Sequence, residues 1–543
     1  MTDTYAGERR STTLAGRSTV YAPNGVIATS QPLASAAGLA ILQQGGNAID
    51  AAVTAAAVLN LVEPHMTGVG GDLFAILWSE KERKLIGLNA SGRAGSLMTR
   101  EEMLRRGHES VPILGAESIT VPGALSGWAA LLERYGTINL ATALKPAIRL
   151  AGDGFPVSPI IAGQWAAEVE TLKRDEGASD TYLVDGARSP REGEWFRNPD
   201  LAQTMQLIAD HGPEVLYGGK LGERIVNRVR ALGGFLTLDD FRNHRTNWIE
   251  PMSVPFRGYR LWELPPNGQG VAALEMLRIV EPYDFRAMGH NSASYLHHLI
   301  EAKKIAFADL ARYVGDPDHM QISSQDLVSN TFINSRRMKL DPAHASEHQD
   351  PGEIVTGSET VYLSAADKHG NMISFINSVY WYFGSGVVVP GTGFALQNRG
   401  SGFTLKEGRA NTLEPGKRPF HTIIPAFVTR TNADGLEEPW LSFGVMGGSM
   451  QPQGHVQLLL NLLVFGMDLQ EAIDAPRFRH LNGANVALET PITDEVRAAL
   501  KVMGHSIADE RVVDFGGAQA VMKLARGWAA GSDPRKDGMA AAH

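Results

Sequence analysis

The sequence predicts an α/β sandwich, two β-sheets lying between helical layers, and three observations carry the prediction. Two helical patterns follow one another near the start and feed a glycine-rich loop and a buried strand. The stretch from Thr99 to Asp350 is mostly helical, broken by Pro and Gly clusters. After Val355 the pattern changes to alternating strands and Gly-rich turns, so helical and strand-rich layers alternate on the scale such a sandwich needs.

Taken in order, Pro32 to Gln44 reads as a helix ended by Gly45-Gly46, and Asn47 opens a second, Ala-rich helix reaching about Glu63. Gly68-Val69-Gly70-Gly71-Asp72 then leads into the apolar run Leu73 to Trp78, a buried strand. Breaks fall at Pro122-Gly123, Pro265-Pro266-Asn267-Gly268 and Gly315-Asp316-Pro317. Later helices are expected near Gln453 to Phe465 and Thr493 to Met503, and the tail from Gly531 is expected to be disordered. No internal repeat is present.

Composition narrows the function classes. Of 543 residues 43% are apolar and 20% charged, the balance of an ordinary globular protein. A net charge of −9 with scattered Lys and Arg lacks the basic stripe of a nucleic-acid binder. With no cysteine, disulfides, thiolate nucleophiles and iron–sulfur clusters are excluded, so a nucleophile must be an oxygen or an amine. The polar first residues lack a secretory signal, which favours the cytoplasm. Ala48 to Leu59 contains Asp50 and falls short of the ~20 apolar residues a bilayer span needs, so no membrane association is expected.

One segment concentrates candidate chemistry. Gly357 to Ala366 is a short polar link entering a strand, with Thr360 at the entrance. Asp367-Lys368-His369-Gly370-Asn371 reads as a hairpin loop, and Met372 to Ser378 as the return strand. Closing the loop with Ala366 opposite Met372 puts Ser378 opposite Thr360, two hydroxyls that suit a nucleophile and a proton relay. Plain strand threonine and serine satisfy the same pattern.

The run Glu359 to Ser364, the loop Asp367 to Asn371 and Phe383-Gly384-Ser385-Gly386 resemble the processing region of the γ-glutamyltranspeptidase family. Further blocks match in family order: Gly45 to Ala52, Thr67 to Gly71, Leu264 to Gly270, Tyr313 to Pro317, Gly416 to Pro419, Gly447-Gly448-Ser449 and Asp474 to Arg477. The resemblance implies a four-layer αββα sandwich of the N-terminal-nucleophile hydrolase type, made as one chain and cut between Glu359 and Thr360. Residues 1–359 would be the large subunit and 360–543 the small one, intertwined in a single αββα domain.

By the same resemblance Thr360 is the nucleophile. Its freed α-amine, a group that titrates at ~7.7–8.0 in a free peptide, serves as its own general base, so no metal or other cofactor is expected. Gly447 and Gly448 match the oxyanion-hole glycines, and Arg93 the carboxylate-binding arginine. The substrate side departs from the glutathione-handling pattern. Tyr380 stands for an asparagine, Arg399 for a glutamine, Gly402 for an aspartate that holds the substrate amine, and His421-Thr422 for paired serines. The segment Ser401 to Phe420 is shorter than the family's lid loop. Tyr380, Arg399, His421 and Thr422 are therefore candidate substrate contacts, with Arg93 and Arg399 expected to pair a substrate carboxylate.

The expected partner is a small amide bearing a carboxylate or acyl-amino group, besides the association of the two processed subunits; the number of αβ units, a dimer included, is left open. Competing readings are γ-glutamyl transfer or glutathione hydrolysis, a non-catalytic binding protein on this scaffold, and a metal hydrolase built on His297, His298 and Glu301. Against the last, no HExxH appears, nor do GxSxG or GxxxxGK[ST] motifs.

Overall fold

A computed structural model describes residues 16–346, 359–509 and 514–543. The strand change expected near Val355 therefore lies outside the described residues, and the description resumes at Glu359.

Two seven-stranded antiparallel sheets form the centre. In the first the order is Met539–Ala542, Val26–Thr29, Glu359–Ala366, Met372–Tyr380, Asp72–Ser79, Lys84–Ala90 and Asn247–Ile249. In the second it is Val20–Ala22, Trp528–Ser532, Ala518–Lys523, Glu437–Val445, Ala426–Thr431, Tyr259–Glu263 and Met252–Phe256. The period-2 alternation of each strand assigns its side chains to different layers. Leu73, Ala75 and Leu77 pack outward with the helices Pro32–Gln43, Ala48–Val62, Ala124–Tyr135 and Leu140–Asp153. Phe74, Ile76 and Trp78 point inward and meet Phe427, Met446 and Val521 of the other sheet. The outer face of the second sheet, with Val428, Leu441 and Ala520, packs on the helices Gly270–Val280, Ala293–Tyr313 and Met450–Leu463. Three apolar interfaces separate four layers, helix, sheet, sheet, helix.

Local signals place the ends of these elements. Asn47 caps the helix Ala48–Val62 reciprocally with Asp50, a capping box, and Gly45 before it takes φ +94. All of that helix is buried, as its Ala-rich, predominantly apolar content on every face requires. The late helices are Met450–Leu463 and Asp494–Val502, the second capped by Thr493.

Two expectations are corrected. The tail is ordered: Trp528–Ser532 pairs in the second sheet, and Met539–Ala542 forms the edge of the first, paired with Val26–Thr29. Small side chains let this Ala-rich strand lie close to its neighbours, and His543 exchanges backbone bonds with Gly25. Besides the short pair Phe155–Pro156 and Trp195–Phe196, the helical half also supplies three strands to the central sheets, Asn247–Ile249, Met252–Phe256 and Tyr259–Glu263, and those sheets are completed by strands far away in sequence.

Candidate active site

The hairpin forms in the expected register from Ala366 opposite Met372 to Val361 opposite Asn377, then shifts, and Glu359 pairs with Tyr380. Thr360 sits in that irregularity. It is fully buried, and its Oγ1 donates to Ser378 Oγ at 3.3 Å. On the other side of the hairpin Ser378 is the cross-strand partner of Asp72, so Thr360, Ser378 and Asp72 form a polar row across three adjacent strands. Gly71 makes this approach feasible, since a Cβ there would lie 2.3 Å from the Ser378 carbonyl oxygen.

Ser378 Oγ collects three donors: the Thr360 hydroxyl, the Tyr380 N–H at 2.8 Å and the Arg399 guanidinium at 3.3 Å. To reach Ser378 the Tyr380 backbone takes φ +84, a left-handed conformation costly for a bulky side chain and typical of constrained sites. Arg399, also fully buried, donates to Thr422 Oγ1 at 2.8 Å and lies 3.9 Å over the Tyr380 ring. Burial lowers its pKa to about 10, with Tyr380 and Asp72 opposing the shift, so it is a cation at neutral pH.

Asp72 has the opposite charge. Its carboxylate accepts from the N–H groups of Gly92 and Gly123, at 2.9 and 3.2 Å, and from His421 Nε2 at 3.1 Å. His421 Nδ1 accepts from the Ile423 N–H, which fixes the tautomer with the proton on Nε2. Burial and the nearby Arg399 charge hold this imidazole neutral, its pKa lowered to about 4.

The second sheet supplies the facing side. Ser364 lies against Ser442, and Gly444 leaves room for the Tyr362 ring. Gly447 and Gly448 take φ +110 and +56 between the strand Glu437–Val445 and the helix Met450–Leu463. Gln269 holds this turn: its Nε2 donates to the Gly448 carbonyl at 2.8 Å and the Thr422 carbonyl at 2.5 Å, while its N–H binds the His421 carbonyl. Asn267 donates to the Pro419 carbonyl and receives the Asn89 amide, tying the loop before His421 to the first sheet.

Beside Tyr380 and Thr422 opens a cavity of about 160 Å³. Val111, Ile113, Leu310, Phe403 and Phe420 give it apolar walls, and its charged lining residues are Lys406 and Arg409, both cations. Gly402 lies on its wall.

The structure thus brings together Thr360, Ser378, Tyr380, Arg399, His421 and Thr422, and ties the Gly447-Gly448 turn to the His421-Thr422 loop through Gln269. The expected arginine clamp is not assembled. Arg93 pairs with Asp316 at 3.0 Å and the Gly416 carbonyl, Arg399 is enclosed against Tyr380, and neither lines the cavity. Asp72 and Gln269 join the site without having stood out in the sequence. Each lies inside a matched or glycine-rich block, but nothing local shows what it holds.

The histidine helix groups differently from its sequence spacing. His298 turns to the Ser294 carbonyl, whereas His297 meets His505 at 2.9 Å near Glu301. Lys304 already occupies the Glu301 carboxylate at 2.7 Å, so this cluster is balanced as an ion pair.

A sandwich of two antiparallel sheets between helical layers is the architecture of the N-terminal-nucleophile hydrolase class. Residues 34–543 match the Gamma-glutamyltranspeptidase family, and the chain belongs to that family. It is 38% identical to the Glutathione hydrolase-like YwrD proenzyme of Bacillus subtilis, covering 94% of this chain and 96% of that protein. It is 36% identical to the Oxamate amidohydrolase proenzyme of Klebsiella pneumoniae, covering 96% and 98%. The crystal structure of cephalosporin acylase from Bacillus halodurans superposes with a TM-score of 0.89 at 42% identity, covering 98% of both chains. Among the described residues no helix is long and apolar enough to cross a membrane.

Proposed function

We propose that the chain is a self-processing amidohydrolase whose nucleophile is Thr360, cut after Glu359 into pieces of 359 and 184 residues that stay intertwined. The observation that carries this reading is the Thr360–Ser378 hydroxyl pair buried at the head of a central strand. In self-cleavage the Thr360 hydroxyl adds to the Glu359 carbonyl. The new C–O ester replaces the C–N peptide bond, the proton passes to the freed amine, and water then releases the Glu359 carboxyl group. In turnover the same hydroxyl takes the substrate acyl group, the substrate amine leaves with a proton, and water frees the acid. The N–H groups of Gly447 and Gly448 stabilise the tetrahedral oxyanion.

The substrate is a small acyl amide without an α-ammonium group. Apolar walls suit an acyl chain, a carboxylate on it meets the rim cations Lys406 and Arg409, and no acidic residue lines the cavity to receive an ammonium. Relatives named as an acylase and as an oxamate amidohydrolase support hydrolysis of such amides. The glutathione-type name of another relative supports the competing γ-glutamyl reading.

Thr360→Ala is the test. The variant should fold, remain one chain on denaturing electrophoresis and release no amine from a panel of acyl amides, while the wild type shows two bands with Thr360 N-terminal on the smaller. A wild type that stays uncut yet active would sink the proposal. Preferential turnover of γ-glutamyl-4-nitroanilide over its deaminated glutaryl counterpart would move the substrate to the γ-glutamyl class.

A further inference from the structure

Arg399 is an expensive residue to bury. A cation fully withdrawn from water is retained where something uses its charge. The cavity lining does not include Arg399, although Tyr380 and Thr422, which it touches, are both lining residues. Its hydrogen bonds go to the protein's own hydroxyls, Thr422 Oγ1 and Ser378 Oγ, while its Nε has no acceptor. Ser378 Oγ is the same oxygen that receives the Thr360 hydroxyl, so Arg399 and Thr360 each lie 3.3 Å from one shared atom. On the far side of Ser378, in the same row, is Asp72.

Two consequences follow from this order of charges. Ser378 Oγ, held by the guanidinium and the Tyr380 N–H, is fixed where it can accept from Thr360. Once cleavage frees the Thr360 amine, a cation one hydroxyl away disfavours a second positive charge, so the amine is kept unprotonated. Asp72, two strands from Thr360, partly counters the Arg399 charge. We propose that Arg399 is a positioning residue which acts on Thr360 through Ser378, orienting the hydroxyls and keeping the freed α-amine in its proton-accepting form, with Asp72 setting the strength of that effect. The proposal rests on Thr360 being the nucleophile.

Among the described residues, the following charged and titratable groups surround this pair. Tyr380, Asp72 and His421 face Arg399; His421, Arg418, His244 and Tyr217 are within electrostatic reach of Asp72. His421 and His244 are held neutral chiefly by burial, each with its pKa lowered to about 4, and the Tyr217 and Tyr380 phenols are raised by burial. None of these four changes charge between pH 6 and 9. In that window the titration of the α-amine reads the Arg399 and Asp72 charges directly.

The experiment is an NMR titration of the Thr360 α-amine in self-cleaved protein labelled with 15N-threonine, alongside kinetics on the 4-nitroanilides of butyric acid (neutral) and glutaric acid (anionic). In the wild type the amine should titrate below the free-peptide range. Arg399→Met should raise its midpoint by roughly one pH unit and lower kcat by roughly 10–100-fold on both substrates with KM little changed. Arg399→Lys should restore the wild-type midpoint. Asp72→Asn should move it the other way, to lower pH, and this opposite sign keeps the proposal testable if Arg399→Met remains uncut. The proposal is overturned by a midpoint that does not move in Arg399→Met, by one that fails to fall in Asp72→Asn, or by a loss confined to KM for the glutaryl substrate, which would make Arg399 a substrate ligand. A Thr360→Ala protein that still turns over would instead remove the nucleophile itself.

Discussion

A single side chain can hold two parts of this site at once, and Gln269 shows how. Its amide nitrogen bridges the carbonyls of Gly448 and Thr422, joining the proposed oxyanion turn to the loop that receives Arg399. Neither carbonyl contacts substrate in the proposed mechanism, so Gln269 acts on geometry. Gln269→Ala should leave KM within about twofold and reduce kcat by roughly tenfold, the equivalent of one or two net hydrogen bonds. Steady-state kinetics on self-cleaved protein check this, and a rise in KM at constant kcat would place Gln269 in substrate binding. Arg399 makes the complementary point. Its residue type suggests an anion ligand, but burial and its partners direct it to the protein's own hydroxyls.

Among the elements, the glycine loop Gly68 to Gly71 decides how closely the strand Asp72–Ser79 approaches the nucleophile hairpin. Its backbone also supports neighbours, since the Gly71 carbonyl accepts the N–H groups of Gly123 and Ala124 and the Gly70 carbonyl that of Gln397. A methyl at Gly71 would meet the Ser378 carbonyl carbon at 2.8 Å as well as its oxygen, both backbone atoms that cannot swing away. Gly71→Ala should therefore push Ser378 out of the polar row, costing about 1–3 kcal/mol and slowing self-cleavage. Electrophoresis of freshly made protein over time reads the cleavage, and normal processing with unchanged stability would show that the row tolerates displacement. The hairpin itself is legible in the sequence, because a five-residue loop with Gly370 at φ +96 fixes its register locally. The shift at Thr360 is not, because an irregularity at the strand entrance answers to what packs around it.

For the molecule as a whole, an early helix meets the last residues of the chain. Glu63 ends the helix Ala48–Val62, is buried, and feels the charges of Lys536 and Asp537 from the last residues. Burial, with Asp537 adding to it and Ser30 and Lys536 opposing, pushes its carboxyl up to about 7, and its Oε1 has no partner. A carboxyl raised in the folded state favours folding in its protonated form. Its contribution is complete below the unfolded value near 4.5 and is lost as pH rises through 7. Glu63→Gln keeps the neutral form at every pH. In the uncut Thr360→Ala chain, the variant should gain about 2.5 kcal/mol on the parent between pH 5 and pH 8. Urea unfolding at the two pH values measures the gap; parallel losses would mean that Glu63 titrates normally.

What the sequence determined by itself is what local and periodic signals encode. The capping box at Asn47, the Ala-rich helix after it, the hairpin around Gly370 and the change from helical to strand-rich pattern follow from spacing and turn chemistry, and ordered motif blocks carried the family. The tertiary structure decided whatever depends on partners distant along the chain. The hairpin of Met252–Phe256 and Tyr259–Glu263 joins the second sheet because Ala426–Thr431 pairs with it, and Met539–Ala542 is ordered because Val26–Thr29 accepts it. The same holds for charge: Arg399 is separated from Asp72 by more than three hundred positions, yet it lies over Tyr380 and senses that carboxylate across Ser378. Burial and electrostatics are properties of the assembled layers, so the proposed nucleophile could be read along the chain, whereas the work assigned to the charges around it required the fold.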